Sequence, residues 1–131
     1  MVSSAVKSSI VGTTTSWIDG GNTRYDTNKI ILDTFSTFVL GFNKIYIASG
    51  ENFPDALVAA PLAGCYASPL LLVNTKIGDS TYEASKNFVL NYLHENAYDT
   101  IYDTTQINVV GGNGAVSDDF INAINITVPL K

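Results

Sequence analysis

The chain has 131 residues, the length of one domain, of which 46% are hydrophobic and only 15% charged, against about 25% charged in an ordinary globular protein. That balance excludes intrinsic disorder, and no apolar run reaches the ~18 residues of a membrane span; the longest, Ala56 to Ala63, is broken by Pro61. Seven scattered Lys and Arg against twelve Asp and Glu give a net charge of −5, which argues against a nucleic-acid surface.

A surface whose polarity comes from Thr, Ser, Asn and Tyr suits an extracellular or carbohydrate-facing protein. The start, Met1 to Lys7, has no apolar core and is not a signal peptide, so an exported protein would be represented here by a piece without its leader. The single cysteine, Cys65, excludes an internal disulfide and a cysteine zinc site. Lying among Leu62, Ala63 and Tyr66, it reads as a buried small hydrophobe.

Residues 1–16 read as an N-terminal extension with a weak strand at Ser9-Ile10-Val11, and residues 17–131 as one domain. After Gly20-Gly21, Asn22 or Thr23 can cap a helix with Asp26 in its first turn; Ile31, Phe35 and Phe38 form its apolar stripe and Gly41 ends it. Lys44 to Ala48 is a strand. Past the turn Ser49-Gly50-Glu51-Asn52, Asn52 is an N-cap with Pro54 set for the first turn and Asp55 at the positive helix end. The helix that follows, Ala56 to Ala60, is apolar enough to be buried, and Pro61 should kink or split it.

Pro69 to Val73 is a continuous apolar run, expected as a central strand covered on both faces. Asn74 to Gly78 is a loop, and Ser80-Thr81-Tyr82-Glu83 is a capping box opening a helix with Phe88, Val89, Tyr92 and Leu93 on its apolar face. Residues 97–105 are ambiguous. Gln106 to Val110 is the next strand, closed by Gly111-Gly112-Asn113-Gly114; Ser117-Asp118-Asp119 starts a helix through Ile124, and Ile126-Thr127-Val128 is a candidate final strand.

This alternation predicts an α/β fold with a mostly parallel central sheet. In such folds ligands sit at the carboxyl ends of the strands, here the turns at 49–52, 74–76 and 112–114. Individual motifs say less. The glycine run lacks the Lys-Ser/Thr of a P-loop and the spacing of a dinucleotide fingerprint, so it reads as a tight structural turn rather than as a phosphate cradle. Glu51 and Asp55 follow a strand, but a metal site needs more carboxylates placed together, and no Asp-x-Asp occurs. Arg24, the only arginine, either pairs with Asp19, Asp26 or Glu51 or meets an anionic ligand. His94 has no plausible nucleophile beside it. No cofactor is implied.

Particular stretches go further. Thr23-Arg24-Tyr25-Asp26-Thr27, then Ala48 to Leu57 (Ala-Ser-Gly-Glu-Asn-Phe-Pro-Asp-Ala-Leu), Ala60-Pro61-Leu62-Ala63, Pro69-Leu70-Leu71-Leu72-Val73, and Val110-Gly111-Gly112 with Ala115-Val116-Ser117 occur in one order. Together they resemble the cell-wall-binding repeat type 2 of Gram-positive surface proteins, from about Trp17 to Ile124. The resemblance implies a compact Rossmann-like or Toprim-like three-layer domain that is not an enzyme. It implies a module that holds S-layer-associated and other surface proteins to an anionic wall polysaccharide without a covalent bond, outside the cell. Such repeats usually come in threes packed as a pseudo-threefold trimer, and Leu70-Leu71-Leu72 matches a stretch tied to anchoring. Two departures stand out: Trp17 replaces the first basic residue of the first motif, with one extra residue before Arg24, and the chain holds one repeat. It is then either one repeat of a longer protein or a chain that forms a homotrimer.

On that basis the expected ligand contacts are Ser49, Asn52, Asn74, Lys76, Asn113, the backbone N–H groups near Gly112, and Arg24. Tyr25, Gly50, Glu51, Phe53, Pro54, Asp55, Leu70, Leu71, Leu72 and Gly111 carry the family pattern and its packing. A module of charge −5 that holds an anionic polymer must use local donors, a site shared between copies, or a bridging cation. Two other roles remain open: a structural or assembly domain, and a magnesium-dependent phosphoryl-transfer enzyme resting on Glu51.

Overall fold

Three parallel strands form the centre of the protein in the computed structural model, which describes residues 18, 20–35, 40, 44–97 and 106–127. In chain order the elements are α1 (Arg24–Phe35), β1 (Lys44–Ser49), α2 (Phe53–Cys65), β2 (Leu70–Val73), α3 (Tyr82–Ala97), β3 (Gln106–Val110) and α4 (Asp118–Thr127). The sheet order is β2-β1-β3, with Tyr46 opposite Leu70 and Asn108. This is the expected α/β fold with a parallel sheet.

Side-chain alternation splits β1 between two layers. Ile45 and Ile47 join Leu71 and Val73 of β2, Val89, Tyr92 and Leu93 of α3, and Phe120 and Ile124 of α4 in the main core. Tyr82 and Phe120 lock α3 to α4 edge to face, with centroids 5.8 Å apart. Tyr46 and Ala48 face the other way, where α2 lies on β1 through the small buried residues Ala59 and Ala63. The strand order explains the two layers. The β1-to-β2 connection runs one way across the sheet and the β2-to-β3 connection runs back, so right-handed crossovers put their helices on opposite faces.

Several expectations change. The strand buried on both sides is β1; β2 is at an edge, with Leu70 and Leu72 only partly buried. Helix α1 covers that edge. Its Asn28 Nδ2 donates to the Leu70 carbonyl and its Oδ1 accepts the Leu72 N–H, both at 2.9 Å. The apolar helix α2 is not buried: Phe53, Leu57 and Val58 are 71%, 60% and 64% exposed, and Cys65 is exposed as well. Among the described residues only the small side of this helix, Ala59 and Ala63, is buried against the sheet. Pro61 does not divide α2, which runs unbroken to Cys65. Pro61 and Leu57 both lie on the exposed side, where water can meet the carbonyl that the proline leaves unbonded.

In α1 the buried residue is Leu32, while Ile31 and Phe35 are exposed. The box at 80–83 is replaced by a turn in which Asp79 accepts both the N–H and the hydroxyl of Thr81, at 2.9 and 2.8 Å; Glu83 pairs with Lys86 at 2.6 Å. Ile126 and Thr127, expected in a strand, continue α4. The expectations at residues 9–11, Phe38, Gly41, 98–105 and Val128 lie outside the described residues. No helix among the described residues is long and apolar enough to cross a membrane.

Candidate functional site

The site is built where the three strands end. The first turn of α1 grips the turn after β1. Thr23 and Asp26 form a reciprocal cap, with the Thr23 N–H donating to Asp26 Oδ2 at 3.0 Å and the Asp26 N–H to Thr23 Oγ1 at 3.1 Å. That fixed start aims Arg24 and Tyr25 at the strand. The Arg24 guanidinium donates to the Gly50 carbonyl, and the Tyr25 hydroxyl donates to Glu51 Oε1 at 2.6 Å. Among the described residues Arg24 forms no ion pair with Asp26 or Glu51 and holds the backbone instead; Asp19, the other expected partner, lies outside the described residues.

The Tyr25 ring lies on Gly50 so closely that a Cβ there would come 2.5 Å from Cε1. Burial pushes the Tyr25 phenol well above its ordinary range, and the Glu51 carboxylate pushes it further. Glu51 therefore has a proton donor bound to it, and Asp55 lies against Gly111. Among the described residues no three of His, Cys, Asp and Glu stand together as metal ligands.

Ser49 is only 2% exposed. Its hydroxyl accepts the N–H groups of Glu51 and Asn52, at 3.1 and 3.4 Å. Asn52 occupies the cap position of α2 without a side-chain cap bond, so its exposed amide is left to other partners. Asn74 is 3% exposed and is consumed by the turn after β2. Its N–H donates to Ser85 Oγ at 2.9 Å, its Nδ2 to Thr81 Oγ1 at 2.6 Å, and its Oδ1 accepts the Lys76 N–H at 2.9 Å. Lys76 itself is exposed.

After β3, Asn113 closes a loop on Asp118: its Nδ2 donates to Oδ2 at 2.9 Å and its Oδ1 accepts the Asp118 N–H at 3.0 Å. Thr75 Oγ1 donates to the Ala115 carbonyl at 3.0 Å, tying the β2 loop to the β3 loop. The three turns do converge on one edge. Arg24, Asn52, Lys76, Gly112 and Asn113 are exposed there, whereas Ser49 and Asn74 are buried and shape the turns that carry the others.

The Asp79–Thr81 turn carries a pH signature. Hydrogen bonds from the backbone and hydroxyl of Thr81 hold the Asp79 carboxyl below its ordinary value of 3.8. A depressed native value stabilises the fold above the unfolded value, and that contribution is lost as pH falls through the native one. Thermal unfolding of Asp79→Asn followed from neutral pH downward should show a shallower loss below pH ~4 than the parent; equal acid limbs would refute the role of Asp79.

Asn28 escaped the sequence reading. Its signal is its position four residues before the buried Leu32, a polar side chain on the inward face of α1.

No curated protein and no solved structure matches the chain. The family model for cell wall binding domain 2 (CWB2) matches residues 19–121, which takes in the α1 grip on β1 and all three turns. The chain belongs to the cell wall binding domain 2 family and is by that membership a cell-wall-binding module.

Proposed function

We propose that the module is a non-catalytic anchor holding a surface protein of a Gram-positive bacterium, such as an S-layer protein, to an anionic wall polysaccharide outside the cell. The observation that carries this is the single edge on which Arg24, Asn52, Lys76, Asn113 and the Gly112 backbone are exposed, held by turns that Ser49 and Asn74 close from within. Glu51, Asp55 and Asp79 share that edge, so a polyanion is held there by local N–H donors rather than by net charge. Each contact is weak, and a repeating polymer gains by engaging several copies.

The exposed face of α2 favours a second role beside the first. Phe53, Leu57, Val58 and Leu62 are exposed apolar side chains on the open half of α2, a surface of the kind that copies of a domain use to pack together, as a homotrimer or as tandem repeats. Calorimetric titration with purified wall polymer and sedimentation of the same samples test both roles. Asn52→Ala and Lys76→Glu should each weaken binding roughly tenfold and leave the sedimentation unchanged. The pair Leu57→Glu and Val58→Glu should yield monomers. Absence of binding even by three linked copies would sink the anchor. Loss of binding in the α2 variants, with none in the loop variants, would leave the assembly role alone.

A further inference from the structure

A concavity lies beside the strand ends. A groove of about 390 Å³ runs between α1 and α3 along the outer edge of β2, within the ~300–1,000 Å³ range of small-ligand sites. Its α3 wall carries the exposed residues Asn87 and Asn91 in one row and the half-buried ring of Phe88 in the next, backed by the buried Tyr92, with the two rings tilted and their centroids 5.9 Å apart. Asp33 of α1 and Glu95 of α3 are also in the lining.

This combination matches the chemistry of a sugar ring. An uncharged pyranose offers C–H faces that pack on aromatic surface and neighbouring hydroxyls that bond to planar amides and carboxylates. The charge in the groove sorts the sugars. Among the described lining residues Asp26 and Glu95 face the single cation Lys29, a balance that disfavours a phosphate or uronate unit relative to a neutral one. The groove also joins the strand-end edge. Tyr25 and Thr81 line it, and the same two residues bond Glu51 of the β1 turn and Asn74 of the β2 turn.

We infer that the α1–α3 groove is a subsite for neutral sugar residues, lying next to the loop edge that meets the charged part of the same glycan. This rests on the wall-glycan reading above and assigns the two surfaces different sugar chemistry. It also eases the conflict between an acidic protein and an anionic polymer, since part of the contact is made to the uncharged portion.

The test is amide chemical-shift mapping and calorimetry on the whole chain, with tetramers of N-acetylglucosamine, of mannose and of glucose as neutral probes and tetragalacturonate as the anionic one. At least one neutral tetramer should shift the amides of residues 87–95 and 23–33, and binding should fall about tenfold in Asn87→Ala/Asn91→Ala. Both positions are exposed on a helix, where alanine is favourable, so the fold is retained. Tetragalacturonate should shift residues of the three turns and leave the groove unmoved. Absence of groove shifts with every neutral tetramer overturns the inference, as does binding unaltered in the double variant. Wall-polymer binding abolished by Lys76→Glu but untouched by the double variant overturns the subsite and leaves the anchor standing. Groove shifts with a neutral tetramer, without binding of the charged polymer, overturn the anionic anchor and leave the subsite standing.

Discussion

Asn28→Leu should lower stability by about 3 kcal/mol, a fall of roughly 10 °C in the unfolding midpoint for a domain of this size. The asparagine amide acts as a fragment of a fourth strand. It gives one hydrogen bond to the Leu70 carbonyl and takes one from the Leu72 N–H, the two groups that an outer neighbour of β2 would satisfy. Leucine has the same shape and neither function, and it leaves both backbone groups half-buried beneath α1 without partners, at about 1–3 kcal/mol each. It also bares an edge able to pair with another chain, so the variant should aggregate more readily on heating. Circular dichroism melts measure the first effect and light scattering the second. A midpoint within a degree or two of the parent would mean that α1 does not hold the edge.

Gly111→Ala and Gly112→Ala should differ sharply although the residues are adjacent. Gly111 has φ +123°, and a Cβ there would lie 2.9 Å from Asp55 Oδ2 and 3.0 Å from the Ala115 Cβ. Backbone strain of ~1–3 kcal/mol adds to overpacking of ~1–3 kcal/mol, for an expected loss of about 3 kcal/mol. A Cβ on Gly112 would meet nothing within 4 Å, and its replacement should stay within about 0.5 kcal/mol. Denaturant titration of the two variants decides the matter; equal losses would refute the close approach of Asp55 to the turn. The double glycine thus divides its labour. The first lets the α2 start and the β3 turn close on each other, and the second keeps a backbone surface open at the edge proposed for the ligand.

The elements legible from the chain are those whose cause is local. Thr23 and Asp26 at cap spacing, Pro54 in a first turn, the β-branched run at 45–47 and Ser117 before α4 each act within a few residues, and each element lies where that chemistry puts it. The convergence of the three turns was legible too, because parallel strands joined by helices bring their carboxyl ends to one side. Local pattern failed wherever the deciding partner was distant. The run at 69–73 reads as central, but its rank in the sheet depends on β3, more than thirty residues later. Helix α2 reads as buried, but how much of it is covered depends on what the fold packs against it. Ser49 and Asn74 read as free donors in loops; whether a hydroxyl or an amide faces solvent or closes a turn depends on the backbone groups that the fold brings to it.

By itself the amino-acid sequence determined the order and type of most elements, the parallel α/β class, the edge on which the three turns converge, and the family. All of these follow from periodicity, caps and motifs that act over a few residues. Only the tertiary structure decided that β1 and not β2 is the covered strand, that Asn28 completes the sheet, that α2 turns an apolar face outward, and that α1 and α3 enclose a groove. Each of these is a matter of which surfaces meet across long stretches of chain, and burial belongs to the pair of surfaces rather than to either segment alone.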